Sequence, residues 1–221
     1  MEKAKSLFGV GTSLFVAIVY TILVATFDRA AMGPEGTAVG FSHINGCFAC
    51  TFGFNGVLYC ISEILGYTVI ASIMIFVVIG ISQLIRTKKF SGVNTDIYMY
   101  GISVVLLGAL YVFFEKVIVN YRPIILPGET EVEASFPSSH TMLACTILGI
   151  SIVYVLRNVK NMTVRKVIVT VCACVAVILV SCRLFCGVHW LTDILGGLLW
   201  SVFVVCVYIR LCAVKMPVSL S

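Results

Sequence analysis

Charge is what this chain has least of. Asp, Glu, Lys and Arg make up only 11% of its 221 residues, against 60% hydrophobic. A soluble domain of this length has no use for so much apolar surface, so the composition points to a polytopic membrane protein. No basic patch with interleaved aromatics accompanies the net charge of +5, which argues against a nucleic-acid partner. Internal repeats and low-complexity tracts are absent too. Metal-like spacing occurs at Cys47-Phe48-Ala49-Cys50, with His43 nearby, and a second ligand pair is missing, so an apolar loop is expected there and no metal or cofactor. Cysteines in the apolar runs, such as Cys145 and Cys172, read as small buried hydrophobes.

What the chain has in abundance is long charge-free runs. Six are marked, at Ser6–Phe27, Ile64–Ile85, Ile97–Phe114, Thr141–Leu156, Val167–Ser181 and Ile194–Ile209. The expected fold is therefore all-α, a bundle of six transmembrane helices forming one membrane-embedded domain over residues 1–221. The first run is long for a cleavable signal peptide, so none is expected. The last three runs are short of about 20 residues unless their polar ends join them, which predicts helices that begin or finish in a functional site.

The connections differ in charge. Lys3, Lys5, Arg86, Lys88, Lys89, Arg157, Lys160, Arg165, Lys166, Arg210 and Lys215 fall on one side, eleven of the fifteen basic residues. The positive-inside rule makes that side cytoplasmic, with both termini there. Arg29, Lys116, Arg122 and Arg183 fall on the other side. The segment Asp28–Glu63 is then the first external loop, and part of it, near Phe54–Leu65, reads as a helix lying in the interface. It serves either as a lid or lipid entry wall, or simply packs on the bundle. Glu63 and His43 either line the site or merely sit at the membrane boundary. Glu129, Glu131 and Glu133 read as solvated loop acids. The sequon Asn161-Met162-Thr163 falls on the cytoplasmic side and is discounted.

The chemistry concentrates between Lys116 and Asp193. The chain has three histidines, and His140 and His189 each stand at the mouth of an apolar run. His189 and Asp193 are four apart and share a face on a helix, so the carboxylate can accept the imidazole N–H and leave the other nitrogen free to attack. Pro137 and Ser138 precede a long run, which makes Ser138 an expected N-cap and leaves outward amides, including that of Ser139, to hold an anion. Arg122 and Arg183 can grip phosphate oxygens in bidentate fashion, with Lys116 as a point charge. Three permanent cations and two histidines suggest phosphate chemistry.

These pieces resemble the signature of the type 2 phosphatidic acid phosphatase superfamily: Lys-x6-Arg-Pro, then Pro-Ser-Gly-His, then Ser-Arg-x5-His-x3-Asp. Lys116, Arg122-Pro123, Pro137-Ser138-Ser139-His140 and Cys182-Arg183 with His189 and Asp193 follow that order. Lys116 is one residue too close to Arg122, Ser139 replaces the glycine, and Cys182 replaces the serine. The resemblance implies that His189 attacks phosphorus to give a phosphohistidine, that Asp193 orients it, and that His140 protonates the leaving group and then activates water. Lys116, Arg122, Ser138, Ser139 and Arg183 would bind the phosphate, and no metal is implied. The implied enzyme is a plasma-membrane phosphatase, among membrane lipids, acting on a lipid phosphate at the external face. Polyprenyl diphosphate is favoured as substrate over phosphatidic acid and phosphatidylglycerol phosphate. A lipid phosphotransferase with the same site is one alternative, and a transporter or structural protein with an inert motif is another. In the first motif Glu115 holds the place expected of the lysine. Because Pro123 disfavours helix at Arg122, Lys116 is still expected on the phosphate and Glu115 turned away.

Overall fold

The computed structural model describes residues 2–126 and 128–213. Lys215, one of the cations used to orient the chain, lies outside the described residues. The elements run α1 (Glu2–Thr26), β1 (Ala30–Ala31), β2 (Ala38–Val39), α2 (Ser42–Thr51), α3 (Gly56–Thr87), α4 (Thr95–Lys116), α5 (Ser139–Asn158), α6 (Met162–Phe185) and α7 (Leu191–Ala213). Among the described residues six helices, all but α2, are long and apolar enough to cross a membrane. The chain is a multi-pass all-α membrane protein.

The helices extend past the charge-free runs, and local chemistry sets where they stop. Asn55 caps α3 by accepting from the amides of Val57 and Leu58, Asn94 caps α4 through the amide of Asp96, and Asn161 caps α6 through Thr163 and Val164. The formal sequon at Asn161 is thus a helix cap. Lys88 ends α3 in the left-handed conformation at φ 54°.

The expected interface helix near Phe54–Leu65 does not exist as a separate element. Those residues open α3, which continues unbroken for 32 residues. At about 1.5 Å per residue it is about 48 Å long, well beyond a hydrocarbon core of about 30 Å. Its first turns lie at the end of the bundle where α5 and α7 also start. They carry Tyr59, Ser62 and Glu63. The short helix α2 precedes α3 and is pinned by Asn45, whose side chain donates to the Thr192 hydroxyl at 2.9 Å and to the Gly40 carbonyl at 2.7 Å.

α5 is the most buried span and packs against α3, α4, α6 and α7. Ile147 and Ile150 from α5 and Val204 from α7 are fully buried at this centre. Large apolar side chains of the outer helices, such as Phe15, Tyr67, Val105 and Val177, point away from the bundle, as lipid-facing surfaces do. Because the spans alternate in direction, the starts of α3, α5 and α7 and the ends of α4 and α6 gather at one end of the bundle. Arg86, Arg157 and Arg210 lie at the other. At the first end α7 comes close to the turn before α5: a Cβ on Gly197 would lie 2.9 Å from the Ser138 carbonyl oxygen, and one on Gly196 would meet the Phe136 ring. Two glycines in succession let the turn seat directly on the helix.

Candidate active site

The segment between α4 and α5 places Arg122. An antiparallel bridge joins Tyr121 to Ala134, and the Arg122 amide donates to the Glu133 carbonyl at 2.9 Å. The Trp190 indole N–H closes this frame on the Tyr121 carbonyl at 2.6 Å. Arg122 itself donates from Nε to Glu133 at 2.9 Å and from Nη1 to the Val188 carbonyl at 3.4 Å. Glu133 is thus an exposed loop acid, as expected, that also pairs with Arg122.

Arg183 comes from the last turn of α6 and is 1% exposed. Burying a guanidinium requires partners, and α3 supplies them. Nη2 lies 2.9 Å from Glu63 Oε1, Nη1 donates to Ser62 Oγ at 3.2 Å, and the guanidinium sits 5.3 Å over the Tyr59 ring. Nη2 also donates to His140 Nδ1 at 2.5 Å. His140, in the first turn of α5, has its Nε2 3.4 Å from Glu63 Oε2. Glu63 thus joins the site, the functional reading of the two weighed for it. His43 does not. It pairs with Asp28 at 2.7 Å and stays exposed, and its backbone and ring hydrogen bonds hold the Asp28 carboxyl below its usual range.

His189 does not share a helical face with Asp193 as expected. α7 starts at Leu191, so His189 lies in the loop just before it. Asp193 reaches back from the first turn to accept the Trp190 amide at 3.0 Å, half of a capping box. Its Oδ1 takes the Asn120 amide at 3.4 Å. The carboxylate, fully buried and already holding two donors, sits 3.6 Å from His189 Nδ1. That is ion-pair distance rather than a formed hydrogen bond. His189 is 4% exposed and neither ring nitrogen has a partner. Burial holds the imidazole well below its usual pKa, reinforced by the Arg122 and Arg183 guanidiniums, with the Ser135 carbonyl opposing. A neutral ring with a free nitrogen is the state a nucleophile needs.

Arg122, Ser139, His140, Arg183 and His189 converge on one cavity of about 510 Å³. Ser138 occupies the N-cap position of α5, yet its side chain makes no capping bond. Its amide is taken instead by the Asp193 carbonyl at 3.0 Å, so it holds the turn on α7 and does not face the cavity. The expectation for the first motif is reversed as well. Glu115 lines the cavity and Lys116 does not, because α4 runs unbroken through Lys116 and one residue turns the direction by about 100°. Lys116 is exposed. Arg122→Ala is therefore expected to cost at least about tenfold more phosphate release than Lys116→Ala, in parallel assays on purified protein. Equal losses would put the lysine back on the phosphate.

Cys47 and Cys50 are free thiols of α2, and no cluster of three metal-ligating side chains occurs among the described residues. A second, mostly apolar cavity of about 290 Å³ meets His189 from the side of Phe48, Phe52 and Trp190. Nothing in the spacing of Tyr59, Ser62, Asn120 or Ser135 had marked them for this neighbourhood. Their signal is being polar and buried or half-buried beside the site.

A family model described as the PAP2 superfamily matches residues 97–216, more than half of the chain and every motif above. The chain belongs to the PAP2 superfamily. Phosphatidylglycerophosphatase B of Bacillus subtilis (strain 168) is 29% identical over 124 residues, which cover 56% of this PAP2 chain and 59% of that relative's length. A crystal structure of a transmembrane PAP2 type phosphatidylglycerolphosphate phosphatase from Bacillus subtilis superposes with a TM-score of 0.58 at 18% identity. It covers 92% of this chain and 94% of that one. That likeness is one of fold.

Proposed function

We propose that this PAP2 protein is a membrane phosphatase that hydrolyses lipid phosphates through a phosphohistidine at His189. The observation that carries the reading is His189 itself: buried, with both nitrogens unpaired, on a cavity it shares with Arg122, Arg183 and His140. Asp193 faces Nδ1, which leaves Nε2 to attack phosphorus. The bond from phosphorus to the leaving oxygen breaks with its electron pair, and that oxygen takes a proton from His140. Water then attacks the phosphohistidine, gives a proton to His140, and the phosphorus–nitrogen bond returns its pair to Nε2. Arg122, Arg183 and the first amides of α5 hold the equatorial oxygens where charge is greatest. No step needs a metal.

The substrate we propose is a lipid monophosphate of the phosphatidylglycerol phosphate or phosphatidic acid kind, in preference to polyprenyl diphosphate. The names of the two Bacillus proteins support this. A panel of these three lipids assayed with purified protein tests it, and fastest release from polyprenyl diphosphate would overturn the preference. The working unit is one membrane domain whose signature spans residues 116–193, in the plasma membrane.

The site is proposed to open on the extracytoplasmic side, with both termini in the cytoplasm. The basic residues at the opposite end of the bundle support that orientation. A cysteine-free variant with single cysteines at Gly128 or Asn161 gives the readout. Gly128→Cys is expected to react with an impermeant thiol reagent in intact cells, and Asn161→Cys only after lysis. The opposite pattern would invert the topology.

A further inference from the structure

Glu63 lies outside the stretch matched by the family model, yet it makes the closest polar contacts to His140 apart from Arg183. The α3 face that carries it is built for that approach. A Cβ on Gly66, one turn further on, would sit 2.7 Å from the His140 ring, so the glycine leaves the imidazole room to lie against the helix. Ser62 and Glu63 meanwhile hold the Arg183 guanidinium from the same turn.

These contacts assign the ring's protons. A guanidinium only donates, so Nδ1, facing Arg183 Nη2, must be an acceptor. Nε2 then carries the hydrogen, and it lies at ion-pair distance, 3.4 Å, from the Glu63 carboxylate. Other charged or titratable groups around the ring are Arg122 from the segment before α5 and His189 from the loop before α7. Glu63 is thus the anion on His140 among three basic neighbours.

We propose that Glu63 is the positioning residue of His140, fixing its ring and balancing the positive charge that the general acid must carry. The proposal rests on the phosphatase reading and deepens it. An incoming phosphate monoester, arriving as its monoanion, takes the Arg183 donor and passes its own proton to the freed Nδ1, and the resulting imidazolium bears that proton for the leaving oxygen. Nε2–H stays on Glu63 throughout. When the phosphorus–oxygen bond breaks, the electron pair stays on that oxygen and the Nδ1 proton passes to it. Glu63 itself neither gains nor loses a proton. The pair resembles in logic the buried aspartate that steadies a catalytic histidine.

A general acid matters only when the leaving group needs a proton, and that separates this role from simple support of the fold. Purified Glu63→Gln is assayed on two phosphate monoesters, a lipid alkyl phosphate and a nitrophenyl phosphate, whose nitrophenolate departs without protonation. Alkyl ester hydrolysis is expected to fall by roughly tenfold or more, while the pre-steady-state burst of nitrophenolate, which reports phosphohistidine formation before water attacks, stays within about threefold. Glu63→Asp is expected to recover part of the alkyl activity. Equal losses on both esters would make Glu63 structural and overturn the proposal. No loss, or a faster enzyme, would overturn it too, since the carboxylate would then be idle or a competitor for Arg183. His189→Ala, run beside them, tests the underlying reading separately. If it loses both esters, that reading stands whatever Glu63 does.

Discussion

His189→Ala is expected to abolish phosphate release from lipid phosphates, a loss of at least about 10⁴-fold by analogy with removing a nucleophile from other covalent catalysts. The size follows from position. The ring is almost fully buried on the wall of the main cavity, and both nitrogens are unspent on the fold. Truncation therefore removes only weak polar contacts, to the Ser135 carbonyl and Asp193, and opens a space the size of an imidazole beside Trp190 and Val188. A folded but inactive protein is the expected result, so the melting temperature is measured with the activity. Because the folded-state pKa of His189 is depressed, the free ring is its resting form at neutral pH. Activity that depends on it persists as pH falls below the ordinary imidazole value of about 6.5.

Asp193→Asn is expected to have the second largest effect, about 10³- to 10⁴-fold in kcat at nearly unchanged shape. An amide at this position can still accept the Trp190 N–H but presents a donor to either Asn120 or His189. Facing Nδ1, that donor favours the wrong tautomer, with the hydrogen on the attacking nitrogen. The carboxylate is fully buried, so water does not replace the lost acceptor. The loss is expected in kcat with KM little changed, because Asp193 does not line the phosphate cavity. A variant with raised KM and normal kcat would place Asp193 in binding instead.

Much of this architecture was legible in the chain because charge is so rare in it. In a sequence that is 11% charged, cations and imidazoles at the mouths of apolar runs stand out, and Arg122, His140, Arg183 and His189 do meet. The six spans were legible for the same reason, since only runs of that length satisfy the backbone in lipid. What escaped depends on side-chain partners distant in sequence. Glu63 looks like any acid at a membrane boundary until α5 and α6 bring His140 and Arg183 against it. Asn45 and Asn120 carry no motif, yet their amides tie α2 and the Arg122 segment to the start of α7. The register of Lys116 and Glu115 escaped for a different reason. Pro123 does keep Arg122 out of α4, as expected, but the helix still includes both Glu115 and Lys116, and its turn puts the glutamate on the cavity side.

The central claim is a covalent bond between phosphorus and His189, and trapping it is the most direct test. Purified protein is mixed briefly with a radiolabelled lipid phosphate, quenched in alkali where phosphohistidine survives, and mapped by peptide mass spectrometry. Label on the peptide bearing His189, lost in His189→Ala and retained in Glu63→Gln with the nitrophenyl ester, is the expected result. Label on His140 or on a cysteine, or turnover with no labelled protein at any quench time, would contradict it.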